Sequence, residues 1–96
     1  MFIVELTYKV DLDVADRYMD EHRKYVKKHQ KEGVFLAAGR KNPRTGGIII
    51  ADASSKISLS NLLKLDPFYI NGICKYFITE FEPTTIAKGV CLEVSE

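Results

Sequence analysis

The chain has 96 residues, 46% of them hydrophobic and 28% charged, with a formal net charge of +1. Those figures fit one small globular domain and exclude a disordered or fibrous chain. So even a charge balance gives no bulk field for nucleic acid or an anionic membrane, and no apolar run nears the roughly 18–20 residues of a membrane span.

Residues 2–8, FIVELTY, alternate and are rich in aromatic and β-branched types, which predicts a first strand. The same opening carries an acid and a base too early for a secretion signal, so a cytoplasmic protein is expected. Over 11–32 the period changes: Ala15, Tyr18, Met19, His22, Tyr25, Val26 and His29 form one helical stripe. Asp11 or Asp13 can cap its start, acids lead and lysines follow in the order the helix dipole favours, and Gly33 stops it. VFLAAG, 34–39, predicts a second strand. RKNPRTGG, 40–47, carries loop signals, and IIIAD, 48–52, predicts a third strand.

Residues 54–65 predict a short helix capped by Ser54 or Ser55. DPFYINGI, 66–73, then reads as a connection: Asp66-Pro67 ends the helix and Asn71-Gly72 turns the chain. Residues 73–82 predict a fourth strand ended by Pro83, and GVCLEV in the tail is a candidate fifth. Cys74 and Cys91 lack metal-ligand spacing and read as reduced thiols. No repeat or linker divides the chain, so 1–96 is expected to be a single domain.

The order β-α-β-β-α-β predicts an α+β fold, a ferredoxin-like sandwich with helices on one face of an antiparallel sheet. Strand one sets Phe2, Val4, Leu6 and Tyr8 against Ile3, strand two sets Val34, Leu36 and Ala38 against Phe35 and Ala37, and strand three sets Ile48 and Ile50 against Ile49 and Ala51. Strand four sets Cys74, Tyr76 and Ile78 against Ile73, Phe77 and Phe81. A sheet covered on one side alone should be polar on the other; this one is apolar on both. A second copy is therefore expected on the open face, as a homodimer.

Several residues admit a chemical reading beside a structural one. His22, in the apolar stripe, is either a satisfied core histidine or a general acid–base group. Asp66 either makes a local turn hydrogen bond or orients His22, since a carboxylate on one ring nitrogen fixes the tautomer and makes the other nitrogen more basic. His29 shares the face two turns on and reads as a helix-end histidine; no third ligand makes a metal site with it. Arg40, Lys41 and Arg44 form either a solvated loop or a clamp for an anionic group such as a carboxylate. Gly46-Gly47 precedes a strand, so it is no phosphate loop. Tyr8, Tyr25, Phe68 and Tyr69 either pack in the core or line a cleft.

In order along the chain, these pieces resemble the YciI-like (YCII-related) family of small ferredoxin-like proteins. The resemblance runs from Phe2 to about Pro83 and rests on His22 in mid-helix with Glu32-Gly33 after it, Ala38-Gly39, Gly46-Gly47-Ile48, Asp66-Pro67-Phe68, Gly72-Ile73 and Phe81-Glu82-Pro83. It implies a dimeric α+β barrel similar in build to muconolactone isomerases, with a His–Asp pair, His22 and Asp66, in a cleft. Gly39 is followed by Arg40 where the family has proline, and Arg17 stands near the family's arginine before the histidine at a shifted spacing. Both departures bear on substrate choice more than on fold.

Two functions follow as expectations. The first is a small cofactor-independent enzyme in which His22 and Asp66 carry acid–base chemistry: isomerisation, elimination or hydrolysis of a small cyclic or carboxylated molecule. Arg40, Tyr8, Phe68 and Tyr69 would bind that substrate. The second is a non-catalytic dimeric module that binds a small ligand in the same cleft, motivated by the missing nucleophile, metal and cofactor motifs.

Overall fold

The computed structural model describes residues 1–92. They form β1 (Phe2–Tyr8), α1 (Leu12–Lys31), β2 (Phe35–Arg40), β3 (Gly46–Ala51), α2 (Lys56–Leu63), α3 (Pro67–Ile70) and β4 (Cys74–Glu80). The sheet order is β2-β3-β1-β4, with every neighbouring pair antiparallel. This is the ferredoxin-like α+β arrangement that the element order predicts, and its sheet is open, with β2 and β4 at the edges. Among the described residues no helix is long and apolar enough to cross a membrane.

The core lies on the helix-covered face. Phe2, Val4 and Leu6 of β1 and Ile49 and Ala51 of β3 meet Ala15, Tyr25 and Val26 of α1, Leu59 and Leu63 of α2, and Phe68 of α3. Each large side chain so buried stabilises the fold by about 1.5–3 kcal/mol relative to exposure. Asp11 caps α1 through its backbone, its carbonyl accepting from Val14 and Ala15, while Ser55 caps α2 with its side chain, its Oγ accepting from the Ser58 amide at 3.0 Å.

Four local readings change. Residues 67–70, predicted as a connection, form a helical turn, because proline is preorganised for the first helical position and Asp66 caps it. Gly46 and Gly47, predicted as loop, open β3. A Cβ on Gly46 would lie 1.8 Å from the Leu6 carbonyl oxygen, so the glycine here permits close approach of two strands. In β2 a register shift between Phe35 and Ala37 breaks the simple alternation: Phe35 pairs Ala51 and Ala38 pairs Ile49, which puts Phe35 and Ala38 on the same face. Finally, residues 81–92 contain no strand; of the candidate fifth strand, 89–92 are irregular and 93–94 lie outside the described residues.

The other face of the sheet is apolar as anticipated. Ile3 is flanked by Ile50 of β3, and Glu5 by Ile48 of β3 and Phe77 of β4, whose side chain is 61% exposed. Lys41 folds onto this face, its Nζ 3.8 Å from Glu5 Oε2 and donating to Thr7 Oγ1 at 3.1 Å.

Candidate functional site

Asp66 is held by its neighbour in sequence. A residue before proline is driven to extended backbone, and Asp66 has φ −64° and ψ 129°. That conformation turns its side chain back over the first turn of α3, where Oδ1 accepts from the Phe68 amide at 2.9 Å. The same Oδ1 lies 2.8 Å from His22 Nδ1, and Oδ2 accepts from the Tyr76 hydroxyl at 2.6 Å. Asp66 is 0% exposed. Three donors from α1, α3 and β4 thus converge on its two oxygens, and neither oxygen is left without a partner.

A carboxylate accepts only, so Nδ1 of His22 carries the proton of this bond, and in the neutral imidazole Nε2 holds the lone pair. Nε2 makes no hydrogen bond to a described residue. Phe68 fixes the plane of the imidazole: the two rings stack with centroids 4.0 Å apart and planes 4° from parallel. Burial, then the Asp66 charge, raises the Tyr76 phenol well above its ordinary value and keeps it a donor. Burial pushes the Cys74 thiol up to about 12, with the Asp66 charge adding to it. Tyr25, its hydroxyl donating to the Leu62 carbonyl at 2.8 Å, is raised by the same two causes in the same order.

His22 opens into a cleft of about 710 Å³ between α1 and the β2–β3 hairpin, within the roughly 300–1,000 Å³ of small-molecule sites. Met19, Val26, Leu6 and Ile49 give it an apolar floor, and Gly39, Gly46 and Gly47 leave the hairpin wall without side-chain bulk. Tyr8 lines it, edge-on to Phe68 at 6.1 Å, with the Arg44 guanidinium 5.9 Å from its ring centroid. Arg44 also pairs with Asp16; the guanidinium lowers the Asp16 carboxyl, and the carboxylate raises Arg44.

Of the residues singled out in the sequence, His22, Asp66, Phe68, Tyr8 and Arg40 come together at or beside this cleft. Tyr69 does not: it is exposed and stands edge-on to Tyr76 at 5.8 Å, outside the cleft lining. Its neighbour Phe68 points inward because successive positions of a helical turn point about 100° apart. His29 is a core residue, bonded to Glu32 at 3.1 Å and packed against Tyr25 and Phe35. Among the described residues no three His, Cys, Asp or Glu side chains are grouped to hold a metal. Sequence reasoning missed Tyr76, Arg23 and Lys27. Tyr76 had a signal, since it alternates with buried Cys74 and a phenol turned inward needs a partner.

Comparison with known proteins agrees with the fold. No curated protein matches the chain. The solved structure of 5-chloro-2-hydroxyhydroquinone dehydrochlorinase from Burkholderia phenoliruptrix, a complex with 2,5-dihydroxybenzoquinone, is similar at a TM-score of 0.70. That likeness covers 86% of this chain and 95% of that one at 16% identity, and is one of fold. The model of the YCII-related domain matches residues 1–82, which span every strand and helix that builds the cleft. The chain belongs to the YCII-related family.

Proposed function

We propose that the protein is a small acid–base enzyme that abstracts a proton from a small cyclic molecule bound in the cleft, with His22 Nε2 as the base. The 2.8 Å contact between His22 Nδ1 and Asp66 Oδ1 carries this reading. Asp66 holds the Nδ1–H tautomer, so the lone pair of Nε2 is the one left for a substrate, and its charge stabilises the imidazolium that forms. Phe68 keeps the ring from rotating. Tyr8, Phe68 and Arg40 bind or orient the substrate; Tyr69, outside the cleft, has no part in this.

Elimination is the reaction class best supported. The base takes a proton from carbon, a double bond forms and a leaving group departs, and the imidazolium can return its proton in an isomerisation instead. The similar structure bears the name of a dehydrochlorinase, and dehydrochlorination, the loss of HCl, is an elimination. The working form is taken to be a homodimer joined through the apolar sheet face of Ile3, Ile48, Ile50 and Phe77.

The test is exchange and elimination in D₂O against a panel of cyclic ketones, hydroxyquinols and lactones, followed by mass spectrometry. Protein-dependent deuterium uptake or elimination is expected, reduced about 10²–10⁴-fold in His22→Gln. A ligand that binds beside His22 with no turnover, and with affinity unchanged in His22→Gln, would establish a binding module instead.

A further inference from the structure

The charges that line the cleft do not resemble those of the chain as a whole. The chain holds 14 Lys and Arg against 13 Asp and Glu, close to balance. The cleft lining holds four cations, Arg23, Lys27, Arg40 and Arg44, against one carboxylate, Asp16. Asp16 is already engaged by Arg44. The remaining ion pairs of the described residues join Arg17 to Asp13, Lys41 to Glu5, His22 to Asp66 and His29 to Glu32. Arg23, Lys27 and Arg40 therefore line the cleft without a salt bridge among the described residues, and the Arg23 charge, after Arg44, also helps to lower the Asp16 carboxyl.

These three cations stand on opposite walls. Arg23 and Lys27 are one turn apart on α1, beside His22 and Val26, and Arg40 ends β2 across the opening. Below them the floor is apolar. Concave, low-dielectric walls focus the field of like charges, so the cations act together on whatever enters. A guanidinium presents paired N–H donors that match the two oxygens of a carboxylate, which an ammonium alone does not. Solvated arginines and lysines on a convex surface would need no such explanation; three that make no salt bridge around the mouth of a cleft with a greasy floor do.

We propose that the ligand of this cleft is a small cyclic organic acid whose carboxylate sits between Arg23 and Arg40, with Lys27 beside it, while its ring lies over Leu6, Val26 and Ile49. This rests on the reading of the cleft as the ligand site, and it is independent of whether His22 performs chemistry there. The same cations would hold the negative charge that grows on a substrate when a proton is taken from carbon.

NMR titration of the whole chain with matched probes tests it: benzoate and cyclohexanecarboxylate against benzamide, with inorganic phosphate as a charge without a ring. At about 20 mM salt the two carboxylates are expected to shift the His22 ring and Arg40 amide signals saturably, at least about tenfold more tightly than benzamide, and to weaken several-fold at about 150 mM. The double variant Arg23→Gln, Arg40→Gln, at two exposed positions, should lose about tenfold of that affinity while keeping its amide spectrum, and His22→Gln should lose little. Lys27→Gln provides a second, milder variant.

Benzamide binding as tightly as benzoate, phosphate as tightly as either carboxylate, no saturable shift with any carboxylate, or unchanged affinity in the arginine variants would each overturn the proposal. Neutral rings that bind beside His22 would then leave the cleft as a ligand site without the anion preference. Carboxylate binding with no exchange or elimination would instead keep the anion site and remove the acid–base reading.

Discussion

Tyr76 donates its hydroxyl to Asp66 Oδ2 at 2.6 Å, the carboxylate oxygen that His22 does not use. A residue of the edge strand β4 thereby braces a pair formed between two helices. It fixes the carboxylate plane, and with it the direction in which His22 is held.

Tyr76→Phe removes that brace and leaves a buried oxygen short of a donor. The expected loss is about 1–3 kcal/mol in chemical denaturation. The ¹⁵N spectrum of the His22 ring should still show the Nδ1–H tautomer, because Oδ1 keeps both its donors. An unchanged stability would mean that the Tyr76 bond contributes nothing net.

Asp66→Ala and Asp66→Asn separate two roles. Alanine strands three donors and removes the cap of α3, which should destabilise the fold by about 3 kcal/mol or more. Asparagine, with its carbonyl toward Phe68, keeps the cap. The same carbonyl still accepts from His22 Nδ1–H, so stability should lie much nearer to that of the wild type, while turnover falls by about 10²–10⁴-fold because the imidazolium loses the carboxylate charge that stabilises it.

Alkali should unfold the protein cooperatively. Cys74, Tyr25 and Tyr76 all hold their protons more tightly in the fold, Cys74 up to about 12. A group whose folded value is raised contributes stability that is complete below its unfolded value, 9.0 for the thiol and 10.0 for the phenols, and is lost as pH rises beyond it. Circular dichroism from pH 8 to 12 should show this loss. At about pH 8.5 iodoacetamide should modify exposed Cys91 readily and buried Cys74 hardly at all.

Gly46→Ala should be severe for so small a change. Its Cβ would enter the Leu6 carbonyl, and its φ of 150° already disfavours an L side chain. A destabilisation of about 3 kcal/mol, with disturbed amide signals in β1 and β3, is the expected outcome.

Phe77→Lys tests the open sheet face. Light scattering with size exclusion should show the wild type as a dimer of the 10.9 kDa chain and the variant as a monomer of unchanged helix content. A monomeric wild type at micromolar concentration would discard the dimer.

Much of this was legible in the sequence, and the misses have common causes. Period and caps gave all four sheet strands and both longer helices, because each element has an apolar side matched to its own repeat. The turn of α3 escaped because four residues are too few to display a helical period. The shift in β2 escaped because a bulge reverses side-chain parity without any demand on composition. At the site, the stripe placed His22 toward the interior, but 44 residues separate it from Asp66, and no local pattern reports a contact that the packing of α1 on α3 creates. Lys27 reads only as one of the lysines that follow the helix dipole, and Arg23 draws no reading, because the other wall of the cleft comes from β2.

The two readings that the sequence left open for Asp66 turn out to be compatible: one oxygen both caps α3 and meets His22. Active-site residues are commonly positions where stability has been given up for function, so that replacing them makes a protein firmer. Position 66 should behave in the opposite way. On the proposed reading, a descendant that had lost the activity would still need the aspartate, which takes three donors and caps α3, more than the histidine, which gives only one of those donors. On that reading, an intact Asp66 says less about retained activity than an intact His22 does.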